Sequence, residues 1–193
     1  MKEIKIQEII NQFSRIQIDK ADKYIVTYPV FIDFFRQTSA YTVEDLLTGI
    51  AFVYSWMPRI LTIKSEALPK LSEYCNQFKN QYQAEIETPL FAQAVEALEG
   101  SIVATSKLLH FIFPDQFPIY DSHIYKYCWD KEKSYHYQVK NPLNYHSYRE
   151  MCLKTTAGEE IHDLQKMVTD RLGYQVSKLR ALEFSMFQIR KST

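Results

Sequence analysis

Turn-forming residues are scarce in this chain, and their scarcity restricts the folds that it can adopt. The 193 residues include only 4 glycines and 7 prolines. An antiparallel sheet protein of this length needs many tight turns, and most tight turns require such residues. Apolar residues make up 46% of the chain, which is enough to bury a substantial core. The sequence therefore predicts an all-α protein, a single domain of about 9–11 helices.

Apolar residues recur at helical spacing throughout the first half of the chain. We expect five helices in this half, at about residues 4–13, 19–36, 43–57, 65–83 and 89–99. Pro29 lies inside the second of them and predicts a kink or a break. Thr42 is a predicted N-cap, Pro58 follows the end of the third helix, and Thr88-Pro89 predicts the start of the fifth.

The second half continues the helical pattern and contains the longest predicted loop, residues 130–146. Further helices are expected at about residues 102–113, 121–129, 147–155, 159–172 and 176–190. Gly158 and Gly173 stand where helix C-caps belong. The single domain, residues 1–193, could also be divided into two lobes, 1–97 and 98–193, with a cleft between them.

Cys75, Cys128 and Cys152 are widely spaced and form no CxxC or Cys/His pattern. This spacing supports neither a disulfide framework nor a structural zinc site, and we expect no metal and no cofactor. The N-terminal residues alternate charged and apolar side chains, unlike a signal peptide, and no stretch of about 18 apolar residues could span a membrane. The expected location is the cytoplasm.

Residues 98–126 contain the motifs that bear most directly on function. Leu98-Glu99-Gly100 joins two predicted helices, and Thr105-Ser106-Lys107 lies in the second of them. Pro118-Ile119-Tyr120 then leads to Asp121-Ser122-His123-Ile124 at the start of the next helix. In this order the motifs resemble the helix-hairpin-helix core of the base-excision DNA glycosylases, the family of endonuclease III and the 8-oxoguanine glycosylases. The strings SKLLHF and FPIYDS are similar to those of a bacterial group with an 8-oxoguanine-glycosylase-like fold.

The resemblance implies a DNA-binding, glycosylase-like protein of DNA repair that excises or recognises a damaged or modified base. Asp121 would be catalytic, either stabilising positive charge on the sugar or helping to deprotonate the nucleophile. Lys107 would take part as an amine nucleophile whose pKa is lowered by apolar surroundings. Structural roles compete with both: Asp121 is also a good N-cap, and Lys107 could reach solvent or pair with an acid.

The same resemblance implies a DNA-binding surface and a pocket for an extruded base. Backbone amides at a helix start attract phosphate, and lysines outnumber acids in residues 126–154. The expected DNA contacts are Gly100, Ser101, Ile102, Lys126, Lys131 and Lys133. The expected base pocket consists of Tyr120, Tyr125 and Trp129. None of the five histidines has the spacing of a metal site.

A second hypothesis is a module without catalysis that keeps the glycosylase fold and binds nucleic acid or another protein. The hairpin at Gly100 lacks the family's proline and carries Glu99, which would repel phosphate. Lys107 also stands closer to Asp121 along the chain than the family's lysine stands to its aspartate, so lyase activity is not implied. A net charge of zero favours this hypothesis as well. The sequence leaves open whether the protein is an enzyme, which base it would recognise, and its oligomeric state.

Overall fold

The computed structural model describes residues 1–57, 60, 62–80 and 84–192. Within these ranges the chain forms eleven α-helices and no strand, which confirms the prediction of an all-α protein. The helices are α1 (Ile6–Phe13), α2 (Lys23–Gln37), α3 (Val43–Ser55), α4 (Leu68–Asn80), α5 (Ala84–Ala97), α6 (Ile102–Ile112), α7 (Ser122–Cys128), α8 (His136–Val139), α9 (Pro142–Thr156), α10 (Ile161–Leu172) and α11 (Lys178–Lys191). None of the helices in the described ranges combines the length and the apolar character needed to cross a bilayer.

Buried side chains form two apolar clusters, which meet along α6. The first cluster is built on α2 to α6 and includes Phe35 and Leu108. The second is built on α1, α7 and α9 to α11 and includes Phe13 and Leu182. Ile102, at the start of α6, belongs to the second cluster and Val103 packs against it, whereas the apolar side chains from Ala104 to Ile112 belong to the first. The clusters therefore do not follow a division into residues 1–97 and 98–193, because α1 packs on α10 and α11.

Helix α2 runs from Lys23 to Gln37 without the break predicted at Pro29. Proline has no N–H group, so the carbonyl oxygen four residues earlier, that of Ile25, loses its helical donor. The hydroxyl group of Tyr174 donates a hydrogen bond to this oxygen over 3.1 Å. A tyrosine far away in the sequence thus satisfies the carbonyl group that the proline leaves without a partner, and the helix continues.

Three other local predictions differ from the structure. Helix α5 begins at Ala84, so Thr88-Pro89 lies within its second turn and does not start it. The predicted loop 130–146 contains α8 and the start of α9, where the Asn141 side chain accepts a hydrogen bond from the amide of Leu143. Gly173 ends α10 in the left-handed conformation at φ 84°, whereas Gly158 does not adopt a positive φ. The helix ends predicted at Pro58 and at residue 83 lie outside the described residues.

Gly49 lets α3 approach α2 closely, and this contact predicts a large effect of a single methyl group. A Cβ atom at Gly49 would stand 2.1 Å from Cζ of the buried Phe35. We expect Gly49→Ala to lower the free energy of unfolding by about 2 kcal/mol through overpacking, measured by urea denaturation. Gly158→Ala is the control, since its Cβ would meet Thr155 O at an ordinary 3.6 Å. Equal stability of the two variants would contradict the prediction.

Candidate functional site

A cavity of about 710 Å³ opens where the two apolar clusters meet. Its walls come from the α2–α3 side of the first cluster, from the starts of α6 and α7, from the segment around α8, and from α11. The volume lies in the range of pockets that hold small organic ligands. We call it the central cavity. It contains both residues that the sequence predicts as catalytic, Lys107 and Asp121, together with Ser101 and Ile102 of the predicted DNA contacts.

Lys107 lies on the cavity wall in the middle of α6 and is only 8% exposed. Its Nζ donates a long hydrogen bond of 3.4 Å to the carbonyl oxygen of Trp56. Burial lowers the pKa of Lys107, and the negative charges of Asp121 and Glu183 oppose this shift. The amine is therefore closer to its neutral, nucleophilic form than an exposed lysine would be.

Asp121 both caps a helix and lines the central cavity. Its Oδ1 accepts hydrogen bonds from the amides of His123, at 2.8 Å, and Ile124, at 2.9 Å, and these fix the first turn of α7. Both bonds end on the same oxygen, so the cap leaves Oδ2 for other partners. The structural and the catalytic interpretation of Asp121 are thus compatible in one side chain.

The turn between α5 and α6 is tight and brings the start of α6 to the cavity. Gly100 adopts φ 77° and donates its amide hydrogen to Val95 O at 2.8 Å. The preceding residue, Glu99, also has a positive φ of 49°, which is uncommon for a residue other than glycine. Ser101 then caps α6, and its neighbours Ile102 and Val103 line the cavity. Gly100 itself is not part of the cavity wall.

A buried ion pair that the sequence analysis did not identify lies in the wall formed by α11. Arg180 and Glu183 are one helical turn apart, are 4% and 2% exposed, and form a short salt bridge through Nη1 and Oε1. The guanidinium group also stands 4.2 Å above the ring of Tyr28. Burial raises the pKa of Glu183 to about 7, although Arg180 acts in the opposite direction. The sequence contains a signal for this pair, since Arg180 and Glu183 are charged residues within the otherwise buried face of α11.

Behind this pair, His110 connects α6 to α2 through a buried hydrogen-bond network. Its Nδ1 lies 2.8 Å from Phe117 O and its Nε2 lies 2.9 Å from the Tyr28 hydroxyl. A carbonyl oxygen can only accept, so Nδ1 carries the proton and Nε2 accepts from Tyr28. Burial, and then the charge of Arg180, lower the pKa of His110 to about 3. His110 is therefore a neutral structural histidine.

His123 follows Asp121 on α7 and lines the cavity at its α11 side. Its ring packs edge-on against Phe187, with ring centroids 5.2 Å apart. Burial lowers the pKa of His123, against the charge of Asp121. Across the described ranges, no three His, Cys, Asp or Glu side chains are grouped so that they could hold a metal ion.

The lysines predicted to bind DNA lie beside the cavity and do not line it. Lys131 and Lys133 are exposed in the segment between α7 and α8, and Lys126 is half-buried on α7. Two other lysines, Lys140 and Lys191, do line the cavity. The lysines of the cavity wall are therefore not the lysines that the sequence predicted to bind DNA.

The three aromatic residues predicted as a base pocket point elsewhere. Tyr120 is fully buried and packs against Tyr145 and Tyr148, and Tyr125 stacks on Trp129 with centroids 4.8 Å apart. None of the three lines the central cavity, so their placement gives the base-pocket prediction no support. The aromatic side chains of the cavity wall are Tyr24, Trp56, Tyr135, Phe184 and Phe187.

Comparison with known proteins identifies no relative of this chain. No family model matches the chain, and no curated protein and no solved structure matches it either. The resemblance to DNA glycosylases therefore rests on the motifs of residues 98–126, and the function has to be argued from the cavity.

Proposed function

We propose that the central cavity receives a damaged or modified base extruded from DNA, and that Asp121 and Lys107 act on its glycosidic bond. The observation that carries this proposal is the convergence, on one cavity, of an amine of lowered pKa, a carboxylate, and the start of α6. Such a combination of nucleophile, charge-stabilising group and anion-attracting amides is what base excision requires. The glycosylase-like motifs of the sequence support the same function.

In the amine route, neutral Lys107 attacks C1′ of the deoxyribose. The glycosidic C–N bond breaks, and its electron pair leaves with the base, which takes up a proton. The C1′–O4′ bond then breaks as the sugar ring opens, and O4′ takes up a proton. The lysine nitrogen has by then lost two protons, one to the base and one to O4′, and an imine remains between Nζ and C1′. Burial of Lys107 favours this route because an ammonium group has no lone pair to donate.

In either route, the carboxylate of Asp121 stabilises the positive charge that develops on the sugar as the base departs. In a hydrolytic route it also accepts a proton from the attacking water molecule. Helix α7 holds this carboxylate rigidly, since Oδ1 is bound by two backbone amides. A preorganised charge of this kind does not need to be reoriented during the reaction.

DNA would approach from the open side of the cavity. The amides at the start of α6 present the positive end of the helix dipole there, and Lys140 adds positive charge at the wall. Lys191 also lines the wall, but its ammonium group pairs with Asp22 at 3.4 Å. The aromatic side chains Trp56 and Phe187 give an extruded base apolar surface to contact.

The second candidate function is a glycosylase-like module that binds DNA without excision. Glu99 at the hairpin and the zero net charge of the chain favour it, because both weaken the attraction for phosphate. The two functions share the cavity and the DNA partner. They differ in whether the Asp121 carboxylate and the Lys107 amine are needed.

The test uses duplexes that each contain one oxidised, deaminated or alkylated base, with alkaline cleavage as the readout for abasic product. We expect excision of at least one such base, and a covalent adduct at Lys107 when borohydride reduces the imine, located by peptide mass spectrometry. Lys107→Gln should abolish the adduct. The control is Lys166→Gln, which removes an exposed lysine paired with Asp170 on α10.

Three other outcomes would change this proposal. Excision without an adduct would retain the glycosylase and remove Lys107 as nucleophile. Salt-dependent DNA binding without excision, unaffected by Asp121→Asn, would establish the module without catalysis. The absence of DNA binding even at low salt would overturn both functions.

A further inference from the structure

Two tyrosines beside the mouth of the central cavity expose most of their side chains to solvent. Tyr135 is 58% exposed and Tyr137 is 71% exposed. Their rings are nearly parallel, with an interplanar angle of 14° and centroids 5.9 Å apart. An exposed aromatic side chain leaves a large apolar face in water, and two such faces in parallel are suited to a flat partner. We call this pair the tyrosine platform.

Hydrogen bonds and one buried side chain fix the backbone that carries the tyrosine platform. The amide of Tyr135 donates a hydrogen bond of 3.0 Å to Gln138 Oε1, and Asn144 donates one of 2.9 Å to Gln138 O. Val139, on the same short helix, is buried in the second apolar cluster. The two rings are therefore exposed on a segment whose backbone is fixed in place.

The position and the charge around the platform indicate what it contacts. Tyr135 and its neighbours Ser134 and His136 line the central cavity, so a strand that delivers a base to the cavity passes the platform. The same segment of the chain carries the exposed Lys131, Lys133 and Lys140. Arg190 of α11 donates a 2.8 Å hydrogen bond to Lys131 O at the start of this segment. Asp130 and Glu132 are the acidic residues of the 130–140 segment.

We propose that Tyr135 and Tyr137 stack against an unpaired nucleobase of DNA next to the nucleotide that enters the cavity. This inference rests on the proposed function and names a second subsite for the same DNA. Base faces stack on aromatic side chains whatever the base, while nearby lysines hold the phosphates. The platform would therefore favour distorted or single-stranded DNA over an intact duplex, without reading its sequence.

The experiment uses a duplex with a tetrahydrofuran abasic analogue and 2-aminopurine as the adjacent base. Wild-type protein should quench the 2-aminopurine fluorescence on binding, and its Kd is measured by anisotropy. The double variant Tyr135→Ala/Tyr137→Ala should raise the Kd about tenfold or more and abolish the quenching. The double variant Tyr135→Phe/Tyr137→Phe should keep both, because stacking needs only the rings. Leu143→Ala, at a nearby position that is 70% exposed, is the matched control.

A change in Kd of less than twofold for the double alanine variant would overturn the proposal. Equal losses for the alanine and phenylalanine variants would assign the contact to the hydroxyl groups and would also overturn it. A loss of self-association with unchanged DNA affinity would assign the pair to a protein interface. Failure of the proposed function is separate, since quenching requires no excision: a protein that quenches but excises nothing keeps the platform and loses the glycosylase.

Discussion

An Asp121→Asn variant is expected to lose about 100-fold to 10,000-fold in the single-turnover rate of base excision while keeping its fold. Asparagine is as good an N-cap as aspartate, and its Oδ1 can accept the same two amide hydrogens from His123 and Ile124. It has neither the negative charge nor the basicity of the carboxylate. The variant therefore removes the chemistry of Asp121 and retains its structural role.

The loss cannot arise from a more highly protonated Lys107. Asp121 raises the pKa of Lys107, so its replacement lowers that pKa and leaves more neutral amine. Excision is measured with enzyme in excess, alongside DNA affinity and melting temperature. Asp19→Asn is the control, because Asp19 is an exposed aspartate that accepts one backbone hydrogen bond, from Ala21. An excision rate within threefold of the wild type would remove Asp121 from the reaction.

The sequence predicted the helices well where one apolar face repeats, and less well at prolines. Helices α6, α10 and α11 lie close to their predicted bounds because their buried faces recur at helical spacing. At Pro29 the prediction rested on a carbonyl group without a donor, and the donor is Tyr174, 149 residues away from Ile25. A local pattern cannot contain such a partner, so the break was predicted and does not occur.

The candidate site was predictable where a short segment forms it. Ser101, Lys107 and Asp121 lie within 21 residues, and a hairpin followed by a helix start is enough to bring them to one cavity. The other walls come from α2, α3 and α11, and their pairing depends on how the two clusters meet. Nothing in the pattern of α11 tells which of its buried polar residues faces a cavity.

The residues of the predicted base pocket were chosen because they lie near Asp121 in the sequence. Which residues line the central cavity depends also on the direction in which each side chain points. Asp121 has an extended backbone with φ −155°, and along such a backbone successive side chains point to opposite sides. The aspartate faces the cavity, and Tyr120 before it enters the second cluster, where it packs against Tyr148. Aromatic residues from distant helices form the cavity wall instead.

The buried histidine behind the cavity makes the stability of the protein depend on pH. His110 titrates with a pKa near 6.5 in the unfolded chain and about 3 in the folded protein. Between these values the unfolded chain binds a proton that the folded protein does not bind, so acid favours unfolding. The contribution of His110 to the free energy of unfolding is fully present above pH 6.5 and is lost as the pH falls towards 3, by up to about 5 kcal/mol.

Glu183 acts in the opposite direction, since its pKa of about 7 means that the folded protein binds the extra proton between about pH 4.5 and 7.

Comparison of the wild type with a His110→Gln variant isolates the histidine, because Glu183 and the surface carboxylates are common to both. Glutamine can donate to Phe117 O and accept from the Tyr28 hydroxyl, as the neutral imidazole does. The free energy of unfolding is measured by urea titration from pH 3.5 to 7.5, and it should fall more steeply with acid in the wild type. Between pH 4 and 6 the extra slope should correspond to nearly one additional proton taken up on unfolding. His162→Gln, at an exposed histidine, is the matched histidine-to-glutamine control. Parallel curves for the wild type and His110→Gln would mean that His110 binds its proton at the same pH in the folded protein as in the unfolded chain. If the glutamine variant does not fold, the wild-type imidazole nitrogen shifts decide the question by NMR, because a neutral His110 at pH 5 is the expected result.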